Sequence, residues 1–196
     1  MPEVENKNAS RYGTLFVFFG LIATGKSTLA AAWARRHKFP YYNSDRIRKQ
    51  IAGLHPETRQ KESCDQGIYS REFSQKTYTA LLDRAKEELG RSSKAVLDAS
   101  YQERQERSRV RKLADRMGGR VYFILCTCSE EEMKKRMEAR ARDPKAVSDG
   151  RWEIYLKQKQ RFEQPTELAA NELIAINTEA PVADLLEQLE RMLALI

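Results

Sequence analysis

The chain is predicted to be an α/β protein, a parallel sheet with helices on both faces. Three observations predict it. Short apolar or aromatic segments alternate with longer helical ones along almost all of the 196 residues. A turn bounded by Gly20 and Gly25 runs straight from the first apolar segment into a helix-forming one. Two further strand candidates lead into aspartates, Asp45 just beyond the second and Asp98 at the end of the third.

Each element has its own warrant. Strands are expected at 14–19, 39–43, 94–98, 120–127 and 172–177, and helices at 26–37, 45–53, 66–89, 101–117, 130–141, 151–163 and 181–195. Leu15-Phe16-Val17-Phe18-Phe19 is a continuous apolar run, as a strand covered on both faces requires. Thr28 to Ala34 is rich in helix formers. Ser100-x-x-Glu103 and Ser129-x-x-Glu132 have capping-box spacing after the third and fourth strands. Gly118-Gly119 closes one helix before Arg120-Val121-Tyr122-Phe123-Ile124-Leu125, and Pro181 falls in the first turn of the last helix. The segments 54–65 and 142–150 are irregular. Residues 1–12 form a polar, frayed leader, and 13–196 form one domain.

Composition narrows the function classes. No run of eighteen apolar residues exists, so no membrane span is expected. The polar N-terminus does not read as a secretory signal. Three cysteines, an odd number, argue against a disulfide scaffold and for the reducing cytoplasm. Cys126-x-Cys128 lacks a second pair and reads as buried strand residues. His37 and His55 are too few for a relay or a metal cluster. The net charge of +7 fits a polyanionic partner, nucleotide or nucleic acid.

The chemistry starts in the turn. Gly20-Leu21-Ile22-Ala23-Thr24-Gly25-Lys26-Ser27 spells G-x-x-x-x-G-K-S between a strand and a helix, the Walker A arrangement. The glycines let successive N–H groups face one point, and the helix adds its positive dipole end. These eight residues and Thr28 are the expected nucleotide contacts. Lys26 is expected on the β- and γ-phosphates and the Ser27 hydroxyl on Mg²⁺. Asp98, closing Ala95-Val96-Leu97, is the second expected metal group. Ala99 follows it, where motor-type ATPases usually carry a water-activating Glu, which favours transfer to an acceptor over hydrolysis.

Asp45 lies at the carboxyl end of a strand, where parallel sheets bind ligands, and could take the proton of an attacking hydroxyl. Arg48, one turn on, could hold an anionic group of the acceptor. The structural alternative makes Ser44 an N-cap and Asp45 a first-turn acid. Arg136, Arg140 and Arg142 converge on 143–150 and suggest a phosphate-clamping lid at about 136–150, with Arg136 and Arg140 on the nucleotide and Arg140 stabilising charge during transfer. Solvated helix surface is the alternative for these arginines.

With Gly20 to Ser27, Asp45-x-x-Arg48, Val96-Leu97-Asp98-Ala99 and the arginines in this order, the chain resembles the adenylate-kinase-like P-loop kinases. Within them it is similar to polynucleotide 5′-hydroxyl kinases, zeta-toxin-like kinases and bacterial kinase-like "AAA-type ATPase" domains. The resemblance runs from Leu15 to the last helix. It implies a P-loop NTPase sandwich with five parallel strands in the order 2-3-1-4-5. It also implies ATP and Mg²⁺, Asp45 as the acceptor-activating acid, Arg48 as the acceptor-anion contact and Arg140 as a lid arginine. Tyr101, Arg104 and Arg107 are carried over as acceptor contacts. The chain lacks the gluconate-kinase-type histidine after the second-strand aspartate and the N-K-x-D motif of guanine recognition, and its lid is short. The expected activity is transfer of the γ-phosphoryl group of ATP to a hydroxyl of a small molecule. A polynucleotide 5′-hydroxyl kinase, favoured by the basic run Arg104, Arg107, Arg109, Arg111, and a nucleotide-gated regulatory ATPase are the alternatives.

Overall fold

The computed structural model describes residues 13–55, 58, 67–142 and 152–195. The expected leader at 1–12, most of the segment 54–65 and the tip of the expected lid, 143–150, lie outside them. In chain order the elements are β1 (Thr14–Phe19), α1 (Lys26–His37), β2 (Tyr41–Asn43), α2 (Ser44–Ile51), α3 (Arg71–Gly90), β3 (Lys94–Asp98), α4 (Arg104–Arg116), β4 (Arg120–Thr127), α5 (Glu130–Arg142), α6 (Trp152–Arg161), β5 (Leu173–Asn177) and α7 (Val182–Ala194), with a 3₁₀ turn at Gly67–Tyr69 before α3. All strand pairs are parallel, in the order β2-β3-β1-β4-β5. This is the α/β sandwich with the strand order that the sequence led us to expect.

The alternation of a strand divides the core. In β1, Leu15, Val17 and Phe19 face one way and pack with Leu81, Ala85 and Leu89 of α3 and Val110 and Ala114 of α4. Phe16 and Phe18 face the other way, onto Leu29, Ala30 and Trp33 of α1 and Leu185, Leu186 and Leu189 of α7. Every residue of β1 is buried. At about 1.5–3 kcal/mol for each large apolar side chain removed from water, this strand anchors both layers.

The edge strand β2 is held differently. It has three residues, not the five expected, because Pro40 offers no N–H and Phe39 turns into the α1 layer. Its side chains tie it down. The Tyr42 hydroxyl donates to Glu88 Oε1 on α3 at 2.7 Å, and Tyr41 and Asn43 both reach Asp98 on β3.

Helix starts also depart from expectation. The Ser100 box does not cap α4, which begins at Arg104. The Ser100 hydroxyl instead shares a hydrogen with Tyr78 at 3.0 Å, and the Arg104 N–H is met by Glu163, far along the chain. Ser129 does accept the Glu132 N–H at 3.3 Å, but the Glu132 carboxylate turns forward to Arg136. The cap of α2 is Asn43, whose Oδ1 accepts the Arg46 N–H, and Ser44 is the first helical residue. A 3₁₀ turn replaces the first turn expected of α3, with Ser70 capping the helix proper. Cys126 is buried in β4, while Cys128 sits just past the strand end, half-buried.

Candidate active site

The carboxyl ends of β1, β2 and β3 meet at one edge of the sheet, with Phe18, Asp98 and Asn43 in register. The loop from Gly20 to Gly25 leaves this edge and delivers α1. Its shape needs its glycines. Gly20 has φ +138°, and a Cβ there would lie 2.4 Å from the Cys126 carbonyl oxygen. Gly25, the N-cap of α1, has φ +78°, and a Cβ would lie 2.8 Å from both Arg136 Nη1 and Thr178 Oγ1. Gly25→Ala is therefore expected to cost about 1–3 kcal/mol, the scale of a forced left-handed residue, and to weaken nucleotide binding. A thermal melt with and without ATP measures both.

Side chains from four elements brace the loop. Thr24 Oγ1 donates to the Leu21 carbonyl at 2.8 Å, and Lys26 Nζ reaches the same oxygen at 3.4 Å. The Thr178 hydroxyl, after β5, donates to the Thr24 carbonyl at 2.6 Å. Arg136 of α5 donates to Thr178 Oγ1 at 3.0 Å, to the Thr178 carbonyl at 2.7 Å and to the Ala23 carbonyl at 3.4 Å. The Ile22 N–H donates to Gln158 Oε1 of α6 at 2.8 Å. Neither Thr178 nor Gln158 was visible as a loop partner in the sequence. They lie 154 and 136 residues from the atoms they meet, with no motif to mark them.

Asp98 is fully buried. Its Oδ2 accepts from the Tyr41 hydroxyl and from Asn43 Nδ2, each at 2.6 Å. Its Oδ1 is buried and has no hydrogen-bond partner among the described residues. A buried carboxylate oxygen left bare costs free energy unless something polar comes to it. Among the described residues no group of three or more His, Cys, Asp or Glu could hold a metal by itself. One carboxylate and one hydroxyl, Ser27, are what suits Mg²⁺, which keeps several of its waters and takes the rest of its shell from phosphate. The residues present therefore fit that ion.

Beside the loop opens a cavity of about 750 Å³. Lys26, Asp45 and Arg48 line it from the sheet side, and α3, α4 and α6 close it with largely polar side chains such as Gln75, Tyr78, Glu106 and Gln158. Burial pushes the Asp45 carboxyl above its ordinary value, against the opposing pull of Arg48 and then Lys26. Arg48 is buried, with Nη1 donating to the Ile68 carbonyl at 2.7 Å and to Ser74 Oγ at 3.2 Å, its guanidinium 5.1 Å from the Tyr69 ring centre. Its Nε has no hydrogen-bond partner among the described residues. Arg48 is thus both a brace for the turn before α3 and part of the cavity wall.

Three expected acceptor contacts stand elsewhere. Tyr101 is buried against Tyr78 and is not a lining residue. Arg107 is completely buried, with Nε 2.6 Å from Glu167 Oε1 and Nη1 donating to the Tyr101 carbonyl at 2.8 Å. Arg104 is largely exposed, 3.5 Å from the same Glu167. Both arginines clamp the segment after α6 onto α4, and no motif marks Glu167 as their partner. Arg107→Met is expected to cost on the order of 3 kcal/mol by stranding a shielded carboxylate, with nucleotide affinity retained. Urea unfolding beside nucleotide titration separates the two. Arg140 lies on α5, and the position of its side chain is outside the described residues.

Comparison with known proteins agrees with this fold. A family model described as an AAA domain matches residues 15–165. An uncharacterised protein of Mycobacterium tuberculosis is 29% identical over 118 residues, which are 60% of this chain and 24% of that protein. The chain thus spans about a quarter of the length of the curated relatives it matches. Among solved structures, a gluconokinase from Sinorhizobium meliloti 1021 superposes with a TM-score of 0.61 at 20% identity, covering 93% of this chain and 91% of that one. The APS kinase CysC of Mycobacterium tuberculosis, in complex with AMPPNP and APS, superposes with a TM-score of 0.64 at 16% identity, covering 93% and 98%. These likenesses establish a fold shared with P-loop kinases. With a family model matched across the phosphate loop, both sheet-edge aspartates and the helices that wall the cavity, the chain belongs to the AAA domain family.

Proposed function

We propose that the protein is an ATP-dependent phosphotransferase that moves the γ-phosphoryl group to a hydroxyl of a small polar molecule. The observation that carries this reading is the placement of Asp45. Its carboxyl, with raised proton affinity, lines a cavity of about 750 Å³ together with Lys26 of the phosphate loop. A base positioned there can serve an acceptor that enters from the cavity, with ATP on the loop. The names of the similar structures, a gluconokinase and an APS kinase, support a kinase.

In this reading the acceptor hydroxyl gives its proton to Asp45 as its oxygen bonds to the γ-phosphorus. The bond from that phosphorus to the β-bridging oxygen breaks, and ADP leaves with the electron pair. Lys26 and the loop amides hold the phosphates in line. Arg140, at the end of α5, is assigned to the charge that develops on the transferred group, and Arg136 to the wall beside the nucleotide. Ser27 and Asp98 would hold Mg²⁺, which would supply neutralisation of phosphate charge. Arg48 orients the acceptor.

A small acceptor is preferred to a polynucleotide because the basic run on α4 is already paired. Arg104 and Arg107 meet Glu167, Arg109 meets Glu106 at 3.2 Å, and Arg111 meets Glu172 at 3.6 Å. Arginines engaged in this way offer little to phosphate backbones. No described helix is long and apolar enough to cross a membrane. The test is transfer of labelled phosphate from ATP to a panel of sugars, sugar acids, antibiotics, nucleosides and oligonucleotides. Label on one hydroxylated small molecule supports the reading. Label on oligonucleotides alone, or release as inorganic phosphate only, sinks it.

A further inference from the structure

Asn43 uses both ends of its side chain. Its Oδ1 accepts the Arg46 N–H at 3.0 Å and caps α2, while its Nδ2 donates to Asp98 Oδ2 at 2.6 Å. A cap needs only the first contact, which Ser, Thr or Asp supplies equally well. An amide is the side chain that accepts at one atom and donates at the other without carrying charge. The strand register makes this reach possible, since Asn43 on β2 stands directly opposite Asp98 on β3. Tyr41, two residues earlier on the same face, places its hydroxyl on the same oxygen at 2.6 Å. A Phe there would fill the space as well, so the hydroxyl serves the carboxylate.

The consequence falls on the other oxygen. A carboxylate turns about a soft, two-fold torsion and presents either oxygen unless something fixes it. Two donors on Oδ2 fix it, and leave Oδ1 as the oxygen without a partner among the described residues. We infer that Asn43 and Tyr41 are positioning residues that aim Asp98 Oδ1 at the magnesium shell by holding Oδ2, and that Asn43 joins the Asp98 carboxylate to the helix that carries Asp45. The inference rests on the proposed function, in which Asp98 serves Mg²⁺. Outer-shell partners of this kind typically carry about 10- to 100-fold in metal affinity.

The test measures binding of a fluorescent, non-hydrolysable ATP analogue to the full chain, with and without Mg²⁺. In Asn43→Ser the cap is kept and the donor to Asp98 is lost. In Tyr41→Phe the ring is kept and the other donor is lost. Each variant is expected to melt as a folded protein and to bind the analogue without Mg²⁺ within about twofold of the wild type. The gain in affinity on adding Mg²⁺ is expected to shrink about 10- to 100-fold, or the Mg²⁺ midpoint to rise by that factor. If both variants keep the wild-type Mg²⁺ response, Asn43 is a helix cap and Tyr41 a packing residue, and the inference is overturned while the function stands. If the wild type itself binds the analogue without any Mg²⁺ response, the proposed function fails first and takes the inference with it.

Discussion

Asp45→Asn is expected to lower phosphate transfer to the acceptor by about two to four orders of magnitude, the usual contribution of a general base. Asn keeps the size and cannot take a proton. ATP affinity should hold, because in the proposed function Asp45 serves the acceptor in the cavity and not the triphosphate. Stability is expected to move the other way. Burial raises the proton affinity of the Asp45 carboxyl in the fold. Such an acid binds its proton more tightly folded than unfolded, so stability falls as pH rises from the unfolded value, about 4, through the folded one. The cost is fully present above the folded value. The Asn variant carries no such cost and should melt at or above the wild-type temperature at pH 7. The gap should close on acidification below the usual carboxylate range. A variant that loses a few tenths to about 1 kcal/mol and keeps its transfer rate would return Asp45 to the role of a first-turn acid. Equal loss of transfer and of background hydrolysis would instead point to a regulatory ATPase.

Lys26→Ala is expected to cost about two to three orders of magnitude in turnover or more, the scale of removing one preorganised donor from a reacting centre. Lys26 is half-buried; its Nζ makes a long contact to the Leu21 carbonyl, 3.4 Å away, and its charge acts on the Asp45 carboxyl. It therefore contributes little to the fold and is ready to exchange that carbonyl for phosphate. Circular dichroism should be unchanged, which separates this variant from Gly25→Ala, where the loop itself is strained. Full turnover in a folded Lys26→Ala protein would remove the phosphate-loop assignment. The same experiment with Mg²⁺ omitted should leave wild type and variant closer together, since turnover without the cation falls towards background in both.

Local pattern and tertiary contact divide the molecule between them. The sequence by itself determined the strand–turn–helix unit around Gly20 to Ser27, the five strands and the positions of Asp45 and Asp98. These depend on hydrophobic periodicity, glycine and position along a strand, all short-range properties written within a few residues. It also indicated their order in the sheet, through a family resemblance carried by those motifs. Tertiary structure alone decided which polar groups meet. Arg107 looked like part of a basic helix face until the segment after α6 folded over it and brought Glu167, 60 residues away, to 2.6 Å. Asn43 looked like the end of a strand and proved to bridge a helix cap and a buried carboxylate 55 residues on. Capping boxes failed in the same way at Ser100, whose hydroxyl found Tyr78 before it found a helix amide. The physical reason is common to all three. A buried polar atom must find a partner, and any element within reach can supply it, so its choice is fixed by the packing of the whole sheet and not by its neighbours in the chain.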